Sequence, residues 1–400
     1  MSGRGVSERS VVEKVAAHVM TATEISNGIP FTDPGDTIVD LLDDPAQQAE
    51  LVTALQAASG IATDALTPEA FPLGPVLTGR VAVLRKQVVD GPGLAILRLP
   101  LEWIARAGED TSTRVFVGLC SHLGRMIEQS KDLMETVARV EVPTDEAVIA
   151  SPNTVRRGYR NQKEQRVHVD ASIPAPRGRG ETDILAMMCV RSAPDGGGAS
   201  KLTSAEALWA ALSEHPEHMR RLAAGFHYDA GVEWLPAWRQ PQRSTAPVPL
   251  LWRDSKGRAC VQFGVNMRKN LEAAYASADI GQAAGGRQLA KNWKQASEAT
   301  TMPLDQAGVD ALDALDEAAN SSACMHQLQL APGCALILDN YRWMHGRTAF
   351  SDDGPALAPA PGQAASAHAG EPESSAQAGG AECRGRLLIR LWLQTDDMRT

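Results

Sequence analysis

No stretch of this chain approaches the roughly 20 consecutive apolar residues that cross a bilayer. The most apolar run, from Gly93 to Ala105, is broken by Arg98 and Glu102. The first residues, Met1 to Lys14, are polar and charged and carry no hydrophobic segment, so no secretory leader is expected. Positive charge is in deficit: 39 Lys and Arg face 48 Asp and Glu, for a net charge of −9. A surface of that sign repels phosphate backbones and anionic lipid heads, which argues against nucleic-acid and membrane-surface partners. The cysteines (Cys120, Cys189, Cys260, Cys324, Cys334 and Cys383) are irregularly spaced and form no C-x-x-C pair. Neither a disulfide framework nor a zinc knuckle is expected from them. They read as free or buried thiols in a reducing compartment, and the expected location is cytoplasmic. No internal repeat is evident.

What remains is an ordinary globular composition, 44% hydrophobic and 22% charged over 400 residues. Helical spacing runs from Val11 to about Ala65, from Thr113 to Ala138, from Leu202 to Leu222 with Ser204 as N-cap, and from Pro303 to Ala319. Short apolar runs read as strands at Gly93–Pro100, Asp183–Arg191, Cys260–Val265 and Arg386–Leu393, with two more between Met325 and Asn340 around Ala331-Pro-Gly333. Val140 to Gln165 reads as a polar loop. From Gly354 to Glu382, 22 of 29 residues are Ala, Gly, Pro or Ser, and Leu357 is the sole large aliphatic. Such a segment buries too little surface to offset its ordering entropy and reads as a disordered insertion.

The strongest chemical signal is His168-Val-Asp170 with His345 far downstream. Residues i and i+2 of a strand share a face, so His168 and Asp170 can grip one ion together. A second imidazole from another strand completes a 2-His-1-carboxylate set that leaves three positions open on a non-haem Fe(II). Other pairs fit less well. His227-Tyr-Asp229 follows a helix end and lacks comparable surroundings, and Pro216 is expected to break the helical face between His215 and His218. Gly196-Gly-Gly198 lacks a following Lys-Ser/Thr and reads as a tight turn. Trp343 and Met344 read as core, and Arg160, Asn161 and Arg166 as a solvated loop.

Four segments carry a resemblance. They are Arg157-Gly-Tyr-Arg160 with His168-Val-Asp170, the run Ala186–Ser200, the run Leu338–Phe350 containing Trp-Met-His345-Gly-Arg, and Arg384–Leu393. In that order, over roughly residues 90–393, they resemble the TauD/TfdA family of Fe(II)/2-oxoglutarate-dependent dioxygenases, nearer its clavaminate-synthase-like members. The resemblance implies a fold of the α+β class, a double-stranded β-helix (jelly roll, cupin-like) core with flanking helices. It implies an N-terminal helical extension over 1–80 and a catalytic domain over 81–400.

By the same resemblance His168, Asp170 and His345 are the iron ligands. Ser200 sits where the family has a hydroxyl beside 2-oxoglutarate, and Arg390 matches the arginine that pairs with the C5 carboxylate of that co-substrate. Arg386 shares that task or faces the substrate. The two arginines are an even number apart and share a strand face, and a planar guanidinium suits a carboxylate through two parallel hydrogen bonds. His345 and Arg390 stand farther apart than is usual in the family, by about the length of the low-complexity segment. A surface loop of that kind adds little closure entropy, about 0.6 kcal/mol for each doubling of length. The implied reaction consumes O2 and 2-oxoglutarate, releases succinate and CO2, and hydroxylates an aliphatic C–H of a small molecule such as an amino acid or natural-product intermediate. Desaturation or epoxidation with the same cofactors is the nearer alternative. The rivals from other classes are a zinc-binding β-barrel without oxidative chemistry and a binding module acting through the insertion.

Overall fold

A computed structural model of the chain describes residues 38–129, 135–142, 162–171, 182–226, 248–264, 305–352, 385–395 and 398. Among them, the strands in chain order are β1 (Ile38–Asp40), β2 (Leu94–Arg98), β3 (Arg125–Met126), β4 (Val137–Val140), β5 (Gln165–His168), β6 (Ile184–Arg191) and β7 (Ser200–Ser204). They continue with β8 (Leu251–Arg253), β9 (Ala259–Val261), β10 (Met325–Leu328), β11 (Cys334–Asp339), β12 (Trp343–Arg347) and β13 (Leu387–Gln394). The helices are α1 (Pro45–Ala57), α2 (Pro75–Val89), α3 (Leu101–Ser121), α4 (Ala205–Leu212), α5 (Pro216–Ala224) and α6 (Gln306–Asn320).

Side-chain caps start three of the helices. The Asp44 carboxylate accepts from the N–H groups of Ala46 and Gln47 ahead of Pro45 at the first turn of α1. Ser204 Oγ accepts from Ala207 N at 3.1 Å, the cap the sequence leads one to expect, and Asp305 does the same for α6. The expected helix over 202–222 is two helices, because Leu202 to Ser204 belong to β7.

The strands form two main sheets. The larger runs β1-β2-β11-β6-β13-β3, with β4 also on β13, and the smaller runs β10-β7-β12-β5. A separate ribbon pairs β8 with β9. Leu185, Met187, Leu336, Leu388 and Trp392 of the large sheet meet Leu202, Leu328 and Trp343 of the small one in an interior layer. The alternate residues of β6 and β13 (Ala186, Met188, Ile389, Leu391) point the other way, into a core shared with α1, α2 and α3. Val167 and Met344 likewise point outward from the small sheet, against α4, α5 and α6. The central strands are thus buried on both faces, which is why they read as unbroken apolar runs. The result is a mixed helix-and-sheet body with two facing sheets and, among the described residues, no closed barrel.

Two further sequence expectations change. Ile38–Asp40, inside the stretch expected to be helical, is an edge strand parallel to β2, fixed by paired contacts of Arg98 Nε and Nη2 with the Asp40 carboxylate at 2.6 and 2.7 Å. Three residues are too few to show a period. The expected helix to Ala138 stops at Ser121, because the chain must cross the C-terminal strand at Gly124, where a Cβ would lie 2.6 Å from Gln394 O. The two strands expected between Met325 and Asn340 are both present, β10 joining the small sheet and β11 the large one. Residues 11–37 of the expected first helix and the expected insertion at 354–382 lie outside the described residues, as does most of the 140–165 loop.

A candidate metal centre between the sheets

The small sheet brings the two histidines face to face. In the β12–β5 pairing His345 stands opposite His168, and their ring centroids are 4.5 Å apart. The register shifts between His345 and Arg347, and a Cβ on Gly346 would lie 2.6 Å from Gln165 O. Only a glycine fits there, so the spacer in His-Gly-Arg serves the close approach of the strands.

Beyond His168 the strand ends. Val169 points into the outer core and its N–H bonds Phe263 O, while Asp170 turns inward just before Ala171, a non-glycine residue at φ 51°. Asp170 Oδ1 lies 3.6 Å from His168 Nε2 and 3.8 Å from His345 Nε2, and one donor atom from each of the three residues falls within 4.8 Å of the others. His345 and Asp170 are buried.

His345 and Asp170 have the protonation states that a divalent metal requires. Burial, reinforced by His168, pushes the His345 pKa down to about 3, outweighing the pull of Asp170, and keeps the imidazole neutral. Burial alone would raise Asp170, but Arg390 and the two histidines outweigh it and hold the carboxyl well below the usual range. His168 Nδ1 donates to Arg166 O at 2.9 Å, which leaves Nε2 as the free donor atom. His345 Nδ1 is buried and has no hydrogen-bond partner among the described residues. Asn340 grips the backbone of Asp170 from both sides: Asp170 N donates to Asn340 Oδ1 at 3.1 Å, and Asn340 Nδ2 donates to Asp170 O at 2.9 Å.

The two arginines occupy different places. Arg390, on β13, donates from Nη1 to Asp170 Oδ2 at 3.1 Å and from Nε to Gln129 Oε1 at 2.7 Å. Trp392 Nε1 donates to the same Asp170 Oδ2 at 2.7 Å. Arg386, just ahead of β13, donates to Gly198 O at 3.1 Å and lies 5.2 Å from the Phe350 ring centroid. Arg347 lies over the same ring at 4.8 Å and is paired in register with Ser200, the buried first residue of β7. Burial, and then the charge of Arg386, bring the Arg347 pKa down to about 10. Arg386 is lowered as well, chiefly by burial. Gly198, at φ +74°, is required where it stands, because a Cβ would lie 2.6 Å from Arg386 Nε.

Sequence reasoning gave Arg347, Asn340 and Trp392 no site role. The usable signal was parity for two of them: Arg347 is two residues from His345, and Trp392 two from Arg390. Elsewhere, Pro216 begins α5 at its first turn and does not break it, so His215, Glu217 and His218 gather on the surface, Glu217 Oε1 lying 3.8 and 3.9 Å from the two imidazoles. Two of those three side chains are more than half exposed and nothing buried holds them. Arg166 pairs with Asp316 at 2.9 Å at the surface. Trp343 and Met344 are core residues. His227, Asp229, Arg160 and Asn161 lie outside the described residues.

The model of the taurine catabolism dioxygenase TauD, TfdA family matches residues 115–358. The chain belongs to this family and is a 2-oxoglutarate-dependent non-haem iron dioxygenase. Among solved structures it is similar to an asparagine oxygenase in complex with Fe(II), 2S,3S-3-hydroxyasparagine and succinate, at 19% identity and TM-score 0.54, covering 90% of this chain and 94% of that one. A further asparagine oxygenase (AsnO) structure gives 18% and 0.55, covering 90% and 93%. The non-heme iron oxygenase OrfP in complex with Fe and alpha-ketoglutaric acid gives 15% and 0.52, covering 90% and 94%. No curated protein matches the chain. Among the described residues no helix is long and apolar enough to cross a membrane.

Proposed function

We propose that the chain hydroxylates an aliphatic C–H of a free amino acid or amino-acid-like intermediate. In this reading the facing sheets are the double-stranded β-helix (jelly roll) of a catalytic domain over 81–400, and the N-terminal helices are its outer layer. His168, Asp170 and His345 hold Fe(II). The carrying observation is their convergence between the sheets with a guanidinium-lined corner behind them.

Each remaining residue has a task in this scheme. Arg386, with Arg347 and the Ser200 hydroxyl, takes the C5 carboxylate of 2-oxoglutarate through charge-assisted hydrogen bonds. Arg390 stays beside the metal on Asp170. Bound iron and 2-oxoglutarate supply the oxidising power, turning O2 and the co-substrate into succinate, CO2 and an alcohol on the substrate. The protein excludes water through the apolar interior layer and fixes both partners in one orientation. Zinc alone would favour a tetrahedral site and leave the buried arginines without a task. The structural neighbour holding a hydroxylated asparagine beside succinate supports an amino-acid substrate.

The test is substrate-dependent O2 uptake and succinate release with Fe(II), 2-oxoglutarate and ascorbate across a panel of amino acids and their acylated or carrier-bound forms. An amino-acid member should stimulate both, and neither should occur in His168→Ala. Stimulation confined to metabolites of another class would refute the substrate assignment. Metal-dependent turnover of a substrate without succinate would refute the oxygenase.

A further inference from the structure

The two oxygens of Asp170 face different surroundings. Oδ1 points at both imidazole Nε2 atoms, at 3.6 and 3.8 Å. Oδ2 receives Trp392 Nε1 at 2.7 Å and Arg390 Nη1 at 3.1 Å, and all three side chains are buried. A carboxylate oxygen offers about two lone-pair directions, and on Oδ2 both are taken. A metal held by the two histidines therefore finds one oxygen of Asp170 available.

From this we propose that Trp392 is a positioning residue that confines Asp170 to ligation through Oδ1 alone, keeping open the coordination position at which O2 binds. The inference rests on the iron and 2-oxoglutarate reading above. Its consequence is a count. Three protein donors leave three positions of an octahedron, two for the co-substrate chelate and one for O2. Were Asp170 to swing Oδ2 onto the metal, that last position would be closed.

The indole suits the task because it is a donor only and cannot lose its proton, so its hold on Oδ2 does not vary with pH. Arg390 alone is a weaker latch, since its Nε is already committed to Gln129. The tryptophan ring also lies 5.2 Å from the Arg390 guanidinium carbon, so one side chain both latches Oδ2 and backs the second latch.

Trp392→Phe keeps a ring in the apolar layer and deletes the N–H. With Fe(II) and 2-oxoglutarate bound in the absence of O2, nitric oxide reports the open position through its paramagnetic resonance signal. Trp392→Phe should need about 10- to 100-fold more nitric oxide than wild type, the weight of one hydrogen bond to a charged group. Its affinities for metal and 2-oxoglutarate should not fall. Trp392→His, which restores an N–H, should recover part of the loss. Equal nitric oxide binding in wild type and Trp392→Phe overturns the proposal. So does parallel loss of metal, co-substrate and nitric oxide, which would make Trp392 mere scaffold.

The wild type gives a test that does not depend on the variants folding. On metal addition the infrared stretches of its isotope-labelled aspartates must show the wide splitting of one-oxygen ligation, and a narrow splitting overturns the proposal. A wild type that binds neither Fe(II) nor 2-oxoglutarate would instead sink the parent reading.

Discussion

Substituting Gly198 by Ala probes the co-substrate corner without touching a charged group. A Cβ at this position would lie 2.6 Å from Arg386 Nε and 2.9 Å from its Cδ, well inside ordinary contact. Arg386 must retreat, and its hydrogen bond to Gly198 O at 3.1 Å goes with it. The left-handed backbone at φ +74° adds about 1–2 kcal/mol of strain for any residue with a Cβ. Hydrogen bonds to a charged partner contribute about 1.5–3 kcal/mol. Misplacing the guanidinium should therefore weaken 2-oxoglutarate by about 10- to 150-fold, at about 1.4 kcal/mol per tenfold. Gly196 supplies the control: it sits at φ +73° with nothing within 4 Å of an added Cβ. Gly196→Ala carries the same backbone strain and should leave affinity unchanged. The assay is calorimetric titration of 2-oxoglutarate into Mn(II)-loaded protein without O2. Equal losses in the two variants, or none in Gly198→Ala, would refute Arg386 as the carboxylate clamp.

Asn340→Ala strips both backbone contacts from Asp170 and the bond to Thr182 O, leaving buried groups unsatisfied at a cost of about 1–3 kcal/mol each. Mn(II) affinity should fall by about 10- to 100-fold, and a titration showing wild-type affinity would count against the clamp. Asp339 is buried, and burial pushes its carboxyl up to about 7 against the pull of Arg342. A raised acid binds its proton more tightly folded than unfolded, so it contributes stability at low pH that is lost as pH rises from its ordinary value near 4 through about 7. Asp339→Asn keeps an acceptor for the N–H groups of Tyr341 and Arg342, and in denaturant melts should gain on wild type as pH rises from about 4 to about 7, by a few kcal/mol. A constant difference across that range would refute the assignment. Replacing Gly354–Glu382 by a short linker should preserve 2-oxoglutarate binding, because the flanks already meet: Arg386 N donates to Asp352 Oδ1 at 2.8 Å. Loss of binding in a folded deletion variant would tie the segment to the site.

Strands buried on both faces were legible, since Ile184–Arg191 and Leu387–Gln394 must be apolar at nearly every position to fill two cores. The Ser204 cap was legible because capping is local chemistry. The convergence of His168, Asp170 and His345 was legible in part, for an incomplete reason. Alternation predicted a shared face for His168 and Asp170, and that face is shared, but Asp170 lies past the end of β5, where Ala171 turns the chain. Asn340 could not be found this way, because it meets the site only through the backbone of Asp170, 170 residues away. Ile38–Asp40 failed for the opposite reason: its partner β2 was recognised, but nothing in three residues announces a parallel edge strand.

The buried charges named around the candidate site do not cancel one another. Arg347, Arg386 and Arg390 are buried together with Asp170, and burial lowers the proton affinity of the first two. A low-dielectric interior makes such a grouping costly, and a fold selected for stability alone would have replaced it with apolar residues. In the proposed reading a dicarboxylate at the Arg347–Arg386 corner cancels that excess positive charge, and a dication at His168, Asp170 and His345 adds to it. Together they add no net charge, whereas the dication alone takes the interior further from neutrality. On that reading the free energies of binding metal and co-substrate are coupled, and equally in both directions.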